Sequence, residues 1–141
     1  MNKGPYTKAG RLQDVLALIQ VLSLDDDAHR SESGLFRELQ ANPSSSTSWT
    51  TLASEHTEFF RIAGEERNSV SLVARHVVPR DEHGIRKLPS DFVHLLLQTA
   101  IELHDRQVSA SENWKYLVPL GAALIGSLTT LLTLWIKGCP R

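Results

Sequence analysis

The chain has 141 residues, with 15 Lys plus Arg against 16 Asp plus Glu, and 41% of it is hydrophobic. That length allows one domain of ordinary size, the near-neutral balance excludes a composition built for polyanions, and the apolar content excludes a disordered chain. A single cysteine, Cys139, excludes an intramolecular disulfide framework and a multi-cysteine zinc site.

Residues 1–9 carry Gly4, Pro5 and polar side chains and read as a flexible arm. From Gly10 the pattern changes: Leu12, Val15, Leu16, Ile19 and Leu22 fall on one face of a helix that stops at Asp25–Asp27. A shorter helix is expected over Gly34–Ala41, with Leu35, Phe36 and Leu39 inward and Asn42-Pro43 closing it. Ser44 to Thr47 reads as a solvated loop, and Ser48 as the N-cap of a third helix reaching Glu58. The period then drops to two. Phe59, Phe60 and Ile62 lead into a turn at 63–68, and Val70, Leu72 and Ala74 alternate as a returning strand.

Three helices followed by a hairpin give an α+β, mainly α, fold: a winged helix-turn-helix-like domain over residues 10–78. Residues 79–89 are charged, contain Gly84 and read as a linker. Ser90 caps an amphipathic helix over 90–107, with Phe92, Val93, Leu96, Ala100, Ile101 and Leu103 apolar. That helix is expected either to pack back on the domain or to pair with a copy of itself.

Residues 108–116 form a juxtamembrane tether, and 117–136 read as a C-terminal transmembrane helix. LVPLGAALIGSLTTLLTLWI has no charged residue, and as a helix it is about 30 Å long, the thickness of a bilayer's hydrocarbon core. Trp114 and Tyr116 stand at one end and Trp135 at the other, where amphipathic rings favour the interface. The competing reading, a buried core helix, fits the length and missing polar stripe less well. Residues 137–141 follow as a short tail, so the chain reads as a single-pass, tail-anchored protein. Flanking charge does not set the orientation, because Arg106 and Lys115 before the span balance Lys137 and Arg141 after it.

Lys3, Lys8 and Arg11 before the apolar run Val15–Leu24 imitate a secretory signal. Asp14 and Gln20 spoil the run, however, and no cleavage site follows. The expected location is therefore the inner (cytoplasmic) membrane, with the amino-terminal domain in the cytoplasm. Ala122, Gly126 and Thr130 form a row of small residues, a candidate face for a transmembrane homodimer. Cys139 could take a lipid just past the bilayer, although a spectator thiol is the simpler reading.

Several pieces together resemble a family of small bacterial proteins with no established activity. They are Arg11-Leu12 with Asp14-Val15 and Ile19-Gln20-Val21-Leu22, then Glu55-His56 with Glu58-Phe59-Phe60-Arg61 after Trp49, then Ser71-Leu72-Val73 with Arg75. The resemblance covers residues 10–78 and implies a winged-helix-like fold. It brings no site residue.

The third helix of such a domain would enter the major groove of DNA, with phosphate contacts supplying most of the affinity. Here Ser48 to Glu58 holds Glu55 and Glu58 but no Lys or Arg, and residues 1–115 hold 13 basic against 16 acidic side chains. Charge therefore disfavours DNA. The expected function is a protein-interaction or regulatory module binding a protein partner at the lipid bilayer. The alternative is a membrane-tethered DNA-binding regulator contacting its site through Ser48, Thr50, Thr51, Arg67 and Arg75. The six histidines form no metal spacing, and the sequence has no phosphate-binding glycine loop or nucleophile elbow. No cofactor, metal or catalytic residue is expected. Glu55-His56-x-Glu58, where a carboxylate could orient an imidazole, reads first as a histidine at a helix end.

Overall fold

A computed structural model describes residues 4–110 apart from residues 27, 65–67 and 83. The proposed span at 117–136 with Ala122, Gly126 and Thr130, the short tail with Cys139, and Arg67 of the hairpin turn lie outside the described residues. Among the described residues, no helix is long and apolar enough to cross a membrane.

The fold is α+β and mainly helical. In chain order it runs α1 (Arg11–Leu24), β1 (Arg30–Ser31), α2 (Glu32–Leu39), α3 (Trp49–Glu55), β2 (Phe60–Ala63), β3 (Ser69–Leu72) and α4 (Val73–Val77), then a helix, α5, over residues 90–110. The three strands form an antiparallel sheet with β3 in the middle, Phe60 opposite Leu72 and Arg30 opposite Val70.

α1 forms where the apolar spacing demands it and buries Val15, Leu18, Ile19 and Leu22 against the sheet and the other helices. Burying each such side chain stabilises the fold by about 1.5–3 kcal/mol, the largest favourable contribution here. Gly10 precedes it in the left-handed region at φ 77°, and a Cβ there would meet the Ser44 hydroxyl at 2.4 Å. The core is completed by Leu35 from α2, Trp49, Leu52 and Ala53 from α3, and Phe60, Val70 and Leu72 from the sheet.

Several expectations change. β1 was not expected; its two residues are too few to show a period, and pairing with β3 is what defines it. α2 starts and ends two residues earlier, because the Ser31 hydroxyl accepts from Gly34 N–H and Gln40 turns left-handed at φ 54°. α3 stops at Glu55 rather than Glu58. The returning strand stops at Leu72: Val73 N–H reaches Phe59 C=O at 2.9 Å, and the chain then coils into α4, which carries Ala74.

The expected amino-terminal arm is ordered over its described residues. Pro5–Thr7 form a 3-10 turn and Tyr6 is buried. α5 packs back on the domain, with Ala100 buried and Phe92, Val93, Leu96, Leu97 and Leu103 partly so. Tyr6 N–H donates to Gln107 Oε1 at 3.2 Å, so both ends of the described chain meet on one side. The described residues of the 79–89 segment form no helix or strand, yet Leu88 among them is buried.

Candidate functional site

The surface built from α3 and the outer strand β2 is where a helix-turn-helix domain would meet a partner. The amides opening α3 are fully engaged within the protein. The Ser48 hydroxyl accepts from Thr51 N–H at 3.0 Å, and Glu32, on the first turn of α2, accepts from Trp49 N–H and Thr50 N–H at 2.8 Å each. Trp49 Nε1–H donates to Ala41 C=O at 3.0 Å and ties the same turn to the α2–α3 connection.

The expected contact hydroxyls are thus brought together, but they face one another: Ser48 Oγ lies 3.0 Å from Thr50 Oγ1 and 2.7 Å from Thr51 Oγ1. α3 carries no cation, and the Glu32 carboxylate puts negative charge on the amides that would face a phosphate.

Arg75, expected at the surface as a wing contact, is buried. Its Nε–H donates to Arg86 C=O at 3.0 Å and its Nη2–H to Asp25 C=O, so the guanidinium pins the 79–89 segment and the end of α1 to α4. It offers no cation to solvent.

Beside α3 lies a hollow of about 530 Å³, lined by Ala53, Phe60, Ile62 and Val73, with Ser54, Thr57 and Arg61 also in its wall. It lies along β2, one of the two edge strands of the sheet. Val73, at the start of α4, is 38% exposed. A mostly apolar hollow on a strand edge that pairs with no strand among the described residues is a place where an extended peptide can add by main-chain hydrogen bonds and seat a side chain.

Behind α3 sits a polar cluster that the sequence reading missed. Tyr6 O–H donates to Glu58 Oε1 at 3.0 Å, and His56 Nδ1 lies 3.0 Å from the same oxygen. The Tyr6 and His56 rings meet edge to face, with centroids 4.4 Å apart. Arg11 is fully buried and binds the Glu55 carboxylate and, at 2.8 Å, Ser45 C=O. Lys8 Nζ reaches both Glu55 oxygens at 3.0 Å. Asp14 accepts from Ser45 N–H at 2.7 Å and Ser45 O–H at 2.6 Å, so the expected solvated serine loop is fastened to α1.

Burial pushes the Tyr6 phenol well above its ordinary range, and the Glu58 charge pushes it further. Burial also pushes the Glu58 carboxyl up, but hydrogen bonds from His56, backbone and Tyr6 outweigh it and hold the group below its ordinary value. At Glu55 the hydrogen bond from Lys8 and the charge of Arg11 outweigh burial in the same way. His56 is fully buried, and its Nε2 has no hydrogen-bond partner among the described residues. The cluster therefore reads as a lock between Tyr6, α1 and α3. The only sequence signal was the Glu55-His56-x-Glu58 run; its partners Tyr6 and Arg11 lie 52 and 44 positions away from Glu58 and Glu55.

Comparisons with known protein families, with curated proteins and with solved structures give no match to this chain.

Proposed function

We propose that residues 10–78 are a winged-helix-like domain held at a membrane by the apolar segment 117–136, and that the domain binds another protein. The role is that of a scaffold or regulator, with no catalysis. The element order helix, strand, helix, helix, strand, strand, with the early strand joined to the hairpin, supports the winged-helix reading.

The observation that carries the protein-binding reading is the apolar hollow between α3 and β2, at one edge of the sheet. A partner segment adding to β2 as a further strand would seat an apolar side chain against Phe60, Ile62 and Val73 and set an acidic residue near Arg61. Attachment to a membrane concentrates partners in a thin layer, so a contact of modest strength suffices.

A photo-crosslinking side chain placed at Thr57 in the full chain should capture one protein species from intact cells, and Val73→Arg should abolish the capture. The full chain in detergent micelles should show no salt-dependent binding of duplex DNA. A log–log slope of several units would replace this reading with that of a membrane-tethered DNA-binding regulator. Leu124→Arg with Leu128→Arg should move the protein from the membrane pellet to the soluble fraction; retention in the pellet would remove segment 117–136 from the proposal.

A further inference from the structure

A second hollow lies away from α3, where the turn before β1 meets α4 and the 79–89 segment. It measures about 490 Å³, and its wall includes His29, His76, Arg80 and Arg86, with Asp26 and Ile85. The His29 and His76 rings face it with centroids 5.8 Å apart. Arg86 Nη1–H donates to His76 C=O at 3.3 Å, which fixes that guanidinium at the wall; its Nε is buried with no partner among the described residues. Two guanidiniums and two imidazoles thus line one space in which Asp26 is the one carboxylate among the described residues.

Cations gathered this way oppose one another. His76 records the cost: burial, then the neighbouring charges of His29, Arg61 and Arg86, hold its imidazole below the ordinary histidine range. A negatively charged ligand would offset the like-charge part of that shift.

We propose that this hollow binds a phosphomonoester, carried by a soluble small molecule or a lipid headgroup, with Arg80 as a fork donor, Arg86 as a further guanidinium donor and His29 and His76 as imidazole donors. A carboxylate would neutralise only one of these groups, whereas a phosphomonoester brings close to two charges and three strong acceptor oxygens. The volume falls within the range of small-molecule sites and exceeds what a bare phosphate fills, leaving room along Ile85 for what the phosphate is attached to. A nucleic-acid backbone needs a longer track of cations, and α3 supplies none.

The groups facing His76 are Ser71 on β3, whose hydroxyl is 3.3 Å from Nε2, His29 before β1, Arg61 on β2, Asp26 after α1, and Arg80 and Arg86 from the 79–89 segment. An anion among them favours protonated His76, so binding raises the proton affinity of that imidazole.

The test uses the full chain in phosphatidylcholine nanodiscs, with glycerol phosphate as the probe and the ring NMR signals of His29 and His76 as the readout. Both rings should shift and saturate together, and Arg80→Gln should weaken binding roughly tenfold. Arg80 is exposed, so this change leaves the fold in place, and His29→Gln serves as an independent second variant. Discs containing phosphatidic acid, set against discs with equal phosphatidylserine, separate the sources: a shift without added probe in the first alone assigns the site to a lipid headgroup. No saturation with either probe would overturn the proposal, as would equal affinity in Arg80→Gln, or duplex DNA matching glycerol phosphate at equal phosphate concentration.

Discussion

Tyr6 and Glu58 are joined by a 3.0 Å hydrogen bond across 52 residues of sequence, and through it the amino-terminal turn is fastened beneath α3. Tyr6→Phe keeps the ring against His56 but deletes the donor, leaving part-buried Glu58 short of a partner. The expected loss is about 1–2 kcal/mol of stability in urea unfolding of the full chain followed by tryptophan fluorescence. Tyr6→Ala also opens a cavity between α3 and α5 and should cost about 3–5 kcal/mol. Equal stability of Tyr6→Phe and the parent would mean that the bond contributes nothing net.

The same cluster sets the response to acid. Glu55 and Glu58 both titrate lower in the folded chain than a free carboxyl does, so the folded state binds fewer protons than the unfolded one. Their contribution is therefore fully present above the ordinary glutamate value of about 4.3 and is lost as pH falls through the folded values. His76 is also held low, so it adds a loss that begins earlier, as pH drops below about 6.5. Melting temperature should decline between neutral pH and the carboxylate range and continue down below it. Glu58→Gln should flatten the lower part of that decline, and His76→Gln the upper part.

Arg75 shows where local reading of the sequence stops. A basic residue after a strand on a hairpin reads as a surface cation, yet its guanidinium is buried and holds the Arg86 and Asp25 carbonyls. Nothing nearby in sequence announces those acceptors, and Arg11 is buried by the same kind of distant pairing with Glu55 and Ser45. What was legible was periodic or local: the apolar stripe of α1, the Ser48 cap, the hairpin and the amphipathic face of α5. β1 gains its identity from β3, and α4 begins where an alternating pattern had promised more strand. For the candidate site, the charge-poor third helix could be read directly. The hollow at the β2 edge depends on how α4 turns away after Leu72, which no window of residues reveals.

Arg75→Ala should accordingly act on stability. It removes a buried cation and leaves two carbonyls to find other donors, an expected cost of about 3 kcal/mol or more. Arg37→Ala, on the exposed side of α2, should stay within about 0.5 kcal/mol of the parent in the same unfolding measurement. Arg75→Lys should recover only part of the loss, because an ammonium cannot reach both carbonyls in the guanidinium's geometry. Unchanged stability in Arg75→Ala would return this residue to the surface.

The opening turn of α3 separates capping from contact. Ser48→Ala should lose about 1 kcal/mol and Ser48→Asp almost nothing, since aspartate caps as well as serine does. Glu32→Ala should cost more, about 2 kcal/mol, because two amides lose a charged acceptor at once. Glu32→Gln is the more telling change. It keeps one acceptor oxygen and removes the negative charge from the amides, so a domain built to approach phosphate would bind duplex DNA more tightly once that charge is gone. On the protein-binding reading, Glu32→Gln loses stability and gains no salt-dependent affinity for DNA, because α3 still offers no cation of its own. Fluorescence anisotropy with a labelled duplex at two salt concentrations separates the outcomes, and a gain confined to low salt would favour the nucleic-acid alternative.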